Sequence, residues 1–346
     1  MLGRSVGLRA VPLAALPGGT PRLCRSRPVG QTPGMTRHAG HDRADAPGSL
    51  AGRVAVVTGA ARGLGRGLAY ALSRRGARVA LVGLEGERLV RCAASLPGEA
   101  GAWEVDVTEA EELAIAADAV RRTLGSPSVV VANAGVALGG PLQDCETDVW
   151  RRVIDVNLVG SALTARCFLP DLMRTRGYYL QVASLAALAP APLLTAYCAS
   201  KGGVEAFAHA LRAEVSHRGV DVGVAYLNWA DTAMIRAADE TAVFRELRTN
   251  LPWPASVVHD PARYVRAMVR GIEHRSAHIY APPWLRGAQA ARVLLPVVVA
   301  RRSRQVLEAR GEAPLPPTGL LGPGGAAAGP APARSADPHP YPRPRE

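Results

Sequence analysis

The chain predicts an α/β fold in which a doubly wound parallel sheet is covered by helices on both faces. Two observations carry this, and a third bears on the chemistry. Runs of Val and Ala alternate with helical stretches from residue 53 onward, and strands buried on both faces read as such continuous apolar runs. The first strand passes into the first helix through Thr58-Gly59-Ala60-Ala61-Arg62-Gly63-Leu64-Gly65. The only lysine in the chain, Lys201, stands four residues after Tyr197.

The elements follow in order. Residues 53–58 (Arg-Val-Ala-Val-Val-Thr) read as a buried strand, and 64–75 as a helix opened by the glycine turn. Residues 77–82 form the second strand, 85–95 a helix, 102–105 the third strand and 109–124 a helix. Residues 128–132 form the fourth strand, which runs into Asn133-Ala134-Gly135. A long helix over 148–174, a strand over 178–183, a long helix over 196–217 and a strand over 221–226 complete the series. Right-handed crossovers between such strands place a ligand at their carboxyl ends.

The flanks differ from this core. Residues 1–48 are rich in Gly, Pro and Arg, lack hydrophobic periodicity and read as disordered. A transit peptide and an upstream extension ahead of Met35 both fit them. Residues 50–281 form the folded domain. Residues 284–310 hold the apolar run 293–299 followed by Arg301, Arg302 and Arg304. That run is too short to span a bilayer. It suits a membrane surface, a cover on an apolar pocket, or packing on its own domain or a partner subunit. Residues 311–346 are Pro, Gly and Ala and read as disordered.

Charge and cysteine content narrow the function. The net charge is +12, but residues 1–49 and 281–346 each carry +5, leaving only +2 for residues 50–280. A nearly neutral folded centre argues against nucleic acid as the partner, since that needs a basic face. The five cysteines are scattered without a C-x-x-C pair. They read as reduced thiols in a cytoplasmic protein, with no disulfide frame and no metal site.

Two motifs carry chemistry. Glycines at 59, 63 and 65 let the backbone turn tightly and approach a pyrophosphate, whose charge meets the N-terminus of the first helix. Tyr197 and Lys201 share a helix face at i and i+4. An ammonium is compact where a guanidinium is a wide fork, so a lone lysine in an arginine-rich chain points to a job arginine cannot do. The expectation is that its charge favours the tyrosinate and lowers the phenol toward the range of an acid/base catalyst. Ser184, at a strand end thirteen residues before Tyr197, can share a substrate oxygen with the phenol.

Taken together, residues 50–280 resemble the short-chain dehydrogenase/reductase family in its single-domain form. The resemblance rests on the glycine loop Thr58–Gly65, Asp106, Asn133-Ala134-Gly135, Asn157, Ser184 and the Tyr197–Lys201 pair. It implies a Rossmann-like, three-layer α/β/α fold and an NAD(P)-dependent oxidoreductase. By position it implies that Tyr197 is the general acid/base and that Lys201 binds the nicotinamide ribose and lowers the phenol's pKa. Ser184 orients the carbonyl or alcohol, and Asn157 holds a water in a relay with Lys201. Asp106, beside Val107, contacts the adenine; Asn133 supports the sheet and cofactor, with Ala134 and Gly135 beside it; Thr232 bonds the carboxamide. The family also implies a homodimer or homotetramer joined through the two long helices.

The departures from the family pattern matter too. Leu227-Asn228 stands where the family usually has Pro-Gly, which leaves the turn beside the nicotinamide open. The second strand ends at Val82-Gly83-Leu84, with Glu85 late. No acid there selects a 2′-hydroxyl, and Arg62 in the glycine loop attracts a 2′-phosphate, so NADP is favoured over NAD. Met234, Ile235, Phe244, Leu247, Leu251, Pro252 and Trp253 supply an apolar pocket lining. That suits an apolar alcohol or carbonyl substrate. Two rivals stay open: a reductase of C=C or C=N bonds on the same scaffold, and a catalytically idle dinucleotide sensor.

Overall fold

The computed structural model describes residues 49–311 and 315–329; the expectation for 1–48 lies outside the described residues. Seven parallel strands form one sheet in the order β3-β2-β1-β4-β5-β6-β7. They are β1 (Val54–Thr58), β2 (Arg78–Gly83), β3 (Ala100–Glu104), β4 (Val129–Ala132), β5 (Tyr178–Val182), β6 (Asp221–Leu227) and β7 (His278–Ala281). The sheet reverses its direction of growth between β1 and β4, and a crevice opens there at the carboxyl ends of the strands.

Both faces are covered, as the Val and Ala runs demand. On one face lie α1 (Gly63–Ser73), α2 (Gly86–Ala94) and α9 (Pro261–Glu273), joined to the sheet through Leu68, Leu72, Leu89, Met268 and Ile272. On the other lie α3 (Ala110–Leu124), α5 (Gly160–Thr175) and α6 (Thr195–Val215), joined through Leu113, Val120, Phe168, Leu172, Val204 and Leu211. This is the three-layer arrangement read from the sequence.

Three features depart from that reading. The single helix expected over 148–174 is α4 (Thr147–Ile154), a π-helical turn at Asp155–Val159, and α5. The π turn adds a residue to the ladder and re-aims the side chains within it, Asn157 among them. The sheet has a seventh strand, β7, fed by α9; Asp260 caps that helix by accepting from Ala262 N at 2.8 Å. Between β6 and α9 lie α7 (Ala233–Glu240) and α8 (Ala242–Thr249).

The third departure is at the C-terminal end. After β7 come α10 (Leu285–Ala290) and α11 (Leu295–Arg310). Residues 315–329, which composition reads as disordered, instead pack on the domain and form α12 (Gly322–Ala328). Leu320 bridges Leu138 as a one-residue antiparallel ladder, and Leu321 N donates to Ala137 O at 2.8 Å. Composition misreads this stretch because its apolar content is only a few residues, yet Leu321 and Ala328 are both buried. Burial and borrowed backbone bonds offset the chain entropy.

Candidate active site

The crevice is built by the chain ends of β1 and β4. Thr58 Oγ1, buried at the end of β1, accepts from the backbone N–H of Asn133 (3.0 Å) and of Ala134 (3.1 Å). Asn133 Nδ2 returns a bond to Thr58 O at 2.9 Å. The glycines are required by space as much as by conformation. A Cβ on Gly65 would lie 2.2 Å from Gly59 O and 2.6 Å from Asn133 Nδ2, and one on Gly59, at φ 64°, would lie 2.8 Å from Ala134 Cα. The loop therefore holds its backbone against the sheet end and leaves a cleft of about 570 Å³ in front of it. Arg62, Gly63, Leu64, Gly65, Asp106, Val107, Asn133, Ala134, Gly135 and Thr232 all line that cleft. Its glycine floor and the N-terminus of α1 suit a dinucleotide pyrophosphate.

At the far end of the cleft stand the residues of α6. The i, i+4 spacing places Lys201 Nζ 5.6 Å from the centre of the Tyr197 ring. Lys201 is 5% exposed, and its ammonium donates to Val182 O at the end of β5 (3.1 Å). Burial lowers its pKa to about 8, because desolvation disfavours the charged form. For Tyr197 the expectation of a lowered pKa is reversed. Burial pushes the phenol up to about 12, with the hydrogen bond from Ser184 pulling the other way. Ser184 Oγ also accepts from Ala186 N at 3.1 Å, which fixes its side chain at the end of the strand.

Asn157 is committed to structure. Its Oδ1 accepts from Val136 N (2.8 Å), and its Nδ2 donates to Val136 O and Ser200 Oγ (both 2.9 Å). These bonds tie the π turn to the end of β4 and to α6. A Cβ on Gly135 would lie 3.2 Å from Asn157 Oδ1 and 3.7 Å from Lys201 Nζ, so both groups face one small space. Asp106 is likewise engaged: its carboxylate accepts from Thr108 N (2.9 Å) and Thr108 Oγ1 (2.8 Å) and pairs with Arg152. Burial works to raise its pKa, but the Arg152 and Thr108 bonds outweigh that and hold the carboxyl below its usual range.

The sequence reading misses Arg88 and sets Glu85 aside as late. Glu85 lies on the cleft wall, where Arg62 Nε donates to it at 2.6 Å and Arg62 Nη2 makes a second, shorter contact. Arg88 reaches the same carboxylate at 3.5 Å and lines the cleft as well. Arg62 is thus paired rather than free, and its guanidinium beside Glu85 holds that carboxyl below the usual range. Side-chain pairing between the glycine loop and the β2–α2 turn, 23 residues apart, has no signature in local sequence.

A second cavity, of about 290 Å³, opens beside Tyr197. All seven residues expected to line an apolar pocket do so. Leu295, Val298 and Val299 of α11 form another part of its wall, so the segment 284–310 covers the pocket. The outer side of that segment leaves Val293, Leu294 and Val297 exposed. The turn at Leu227-Asn228 is tied down: Asn228 Nδ2 donates to Ala255 O and Val257 O, both at 3.3 Å. The two cavities share Ser184, Tyr197, Asn228, Met234, Ile235 and Leu321.

Comparison with known proteins agrees with this geometry. A family model described as short chain dehydrogenase matches residues 53–242. The chain belongs to the short-chain dehydrogenase family. It is an NAD(P)-dependent oxidoreductase. It is 34% identical over 177 residues to 2-(S)-hydroxypropyl-CoM dehydrogenase 3 of Xanthobacter autotrophicus, covering 50% of this chain and 69% of that one. It is 37% identical over 177 residues to the D-threitol dehydrogenase of Mycolicibacterium smegmatis, covering 50% of this chain and 68% of that one. A solved short-chain dehydrogenase/reductase from Burkholderia phymatum, in complex with NAD, superposes with TM-score 0.63 at 23% identity. The match covers 70% of this chain and 93% of that structure, and establishes the shared fold.

The single lysine makes the electrostatics of this dehydrogenase measurable. Lysine-selective ¹⁵N labelling yields one Nζ signal, and its titration in the folded protein is expected to centre near 8. The ordinary value is about 10.4, and a midpoint there would show that the amine is solvated rather than buried.

Proposed function

We propose that the enzyme interconverts an alcohol and a ketone or aldehyde, with Tyr197 as the general acid/base and an apolar molecule as substrate. What carries this reading is the shared wall of the two cavities: Tyr197 and Ser184 face both. A carbonyl in the apolar cavity then lies against the phenol on one side and the dinucleotide cleft on the other. The dinucleotide, when bound, supplies or takes up the hydride.

The protein's own groups manage the proton. In reduction, the Tyr197 phenol donates its proton to the carbonyl oxygen as charge develops there. A phenol held up near 12 is fully protonated at neutral pH, so the acid is ready. Ser184 donates a second hydrogen bond to the same oxygen and fixes its position. Lys201, with a pKa near 8, sits close enough to the ring to stabilise the tyrosinate left behind. Asn157 acts as a positioning residue by clasping Val136 and Ser200. The mostly apolar lining of this cavity, with Ser184 and Tyr197 on the wall toward the cleft, suits an alicyclic or long-chain alcohol.

Two lines of support favour NADP. Gly83 offers no carboxylate at the end of β2, and Arg62 and Arg88 together place two cations against the single charge of Glu85. A 2′-phosphate entering that corner takes over one guanidinium. The Arg62–Glu85 pair itself favours the second reading, NAD, because Glu85 can accept from a 2′-hydroxyl.

Replacing Tyr197 by Phe is expected to leave folding and dinucleotide binding intact. Turnover of an alcohol panel should fall by at least about a hundredfold, the usual size of acid/base catalysis. Near-normal turnover would remove Tyr197 from the mechanism. Dinucleotide binding without turnover of any alcohol in the wild-type protein would favour the sensor reading instead.

Arg62→Ala is expected to weaken NADPH binding by roughly tenfold to a hundredfold, the worth of about 1.5–3 kcal/mol for a charge-assisted contact. NADH should be affected much less. Equal losses for both, or a wild type that prefers NADH, would assign the Arg62–Glu85 corner to NAD.

A further inference from the structure

We infer that residues 315–329 are a latch: they close the dinucleotide cleft and deliver Leu321 to the point where cofactor and substrate meet. This rests on the reading of the larger cavity as a dinucleotide site. The segment crosses the mouth of that cleft from end to end. At its start, Thr318 N donates to Gly139 O at 2.8 Å and Gly139 N donates to Thr318 Oγ1 at 3.0 Å. Leu321 follows, buried among Ala137, Leu194, Phe244 and Met234. It lines both cavities, beside Tyr197 and Ser184. A side chain at that junction limits how bulky a substrate can be on the reacting side.

From there α12 runs toward the opposite end. Pro323, Gly324 and Ala327 line the dinucleotide cleft directly. A Cβ on Gly324 would lie 3.8 Å from Arg62 Cδ, so the helix faces the glycine loop across the opening. Ala328 is buried with Val107 and Val156, and Arg152 Nε donates to its carbonyl at 3.3 Å. Arg152 also holds Asp106, so the same guanidinium joins the far end of the latch to the cleft wall. Gly322 is where the path turns into α12. Its φ is 72°, and a Cβ there would lie 3.1 Å from Met234 Cα.

The latch is also cheap to open. Among the described residues it is held by a few hydrogen bonds, the buried side chains of Leu321 and Ala328 and the half-buried Leu320, the profile of a segment that detaches without unfolding the domain. Its release therefore governs exchange of the dinucleotide.

The test is the dissociation rate of the reduced dinucleotide, followed by its fluorescence in stopped flow. Three proteins are compared: the full chain, a chain ending at residue 310, and Gly322→Val in the full chain. Circular dichroism and melting confirm folding of each. The prediction is a dissociation rate raised at least about fivefold in both altered proteins, because opening no longer limits release. Leu321→Ala, which removes one of the buried side chains that hold the latch, should also raise the rate, and it should improve turnover of branched over linear alcohols several-fold. Rates within twofold of wild type in Gly322→Val and, where it folds, the shortened chain would overturn the latch. Failure of the full chain to bind either dinucleotide would overturn the reading of the cleft itself, and the latch with it.

Discussion

The buried ammonium of Lys201 is the constraint around which the site is arranged. A charge removed from water is costly unless protein dipoles replace the lost solvation. Here the carbonyl of Val182, at the carboxyl end of β5, receives the ammonium. That bond ties α6 to the strand end, and Tyr197 stands one turn earlier, on the wall shared by the two cavities. Gly135 completes the arrangement by having no side chain where Asn157 and Lys201 converge. The result is a phenol held neutral by burial beside an amine that the same burial lowers to about 8, still largely charged at neutral pH. Burial lowers the pKa of the amine, and it reverses the expected direction for the phenol.

The crevice itself depends on a second set of contacts, between chain segments 75 residues apart. Thr58 and Asn133 close the gap between β1 and β4 at the point where the sheet reverses. Because the Asn133 amide, the Ala134 backbone and the loop's own Gly59 carbonyl occupy the space, residues 59 and 65 have to be glycine. The cleft wall then carries its own charge balance. Arg62, Glu85 and Arg88 form a cluster with one net positive charge, while Asp106 is neutralised by Arg152. The anion-attracting corner of the cleft is thus that of Arg62 and Arg88.

Much of the fold and site was legible in the sequence, for a physical reason. A parallel sheet buries its strands on both sides, so each central strand appears as a run of Val and Ala that no surface requirement interrupts. Strand ends then mark where Thr58, Asn133, Ser184 and Leu227 must lie. What was not legible depends on contacts between distant segments. The π turn around Asn157 follows from its clasp with Val136 and Ser200, not from local propensity. The edge strand β7 is four residues long, with an exposed His278 and half-buried Tyr280, which leaves too little pattern to read. Glu85 looked too late in the strand to matter until Arg62 turned back to meet it. The tail at 315–329 looked like low-complexity spacer because its few apolar residues gain meaning only from the pocket that receives them.

The central claim is that the site needs a compact, buried amine at residue 201 and not merely a positive charge. The direct measurement is single-turnover hydride transfer in Lys201→Arg, with dinucleotide affinity measured alongside. The account predicts a folded protein whose transfer rate falls by at least about a hundredfold, because a planar guanidinium cannot take the place of an ammonium against Val182. A variant that keeps most of the wild-type rate would contradict it.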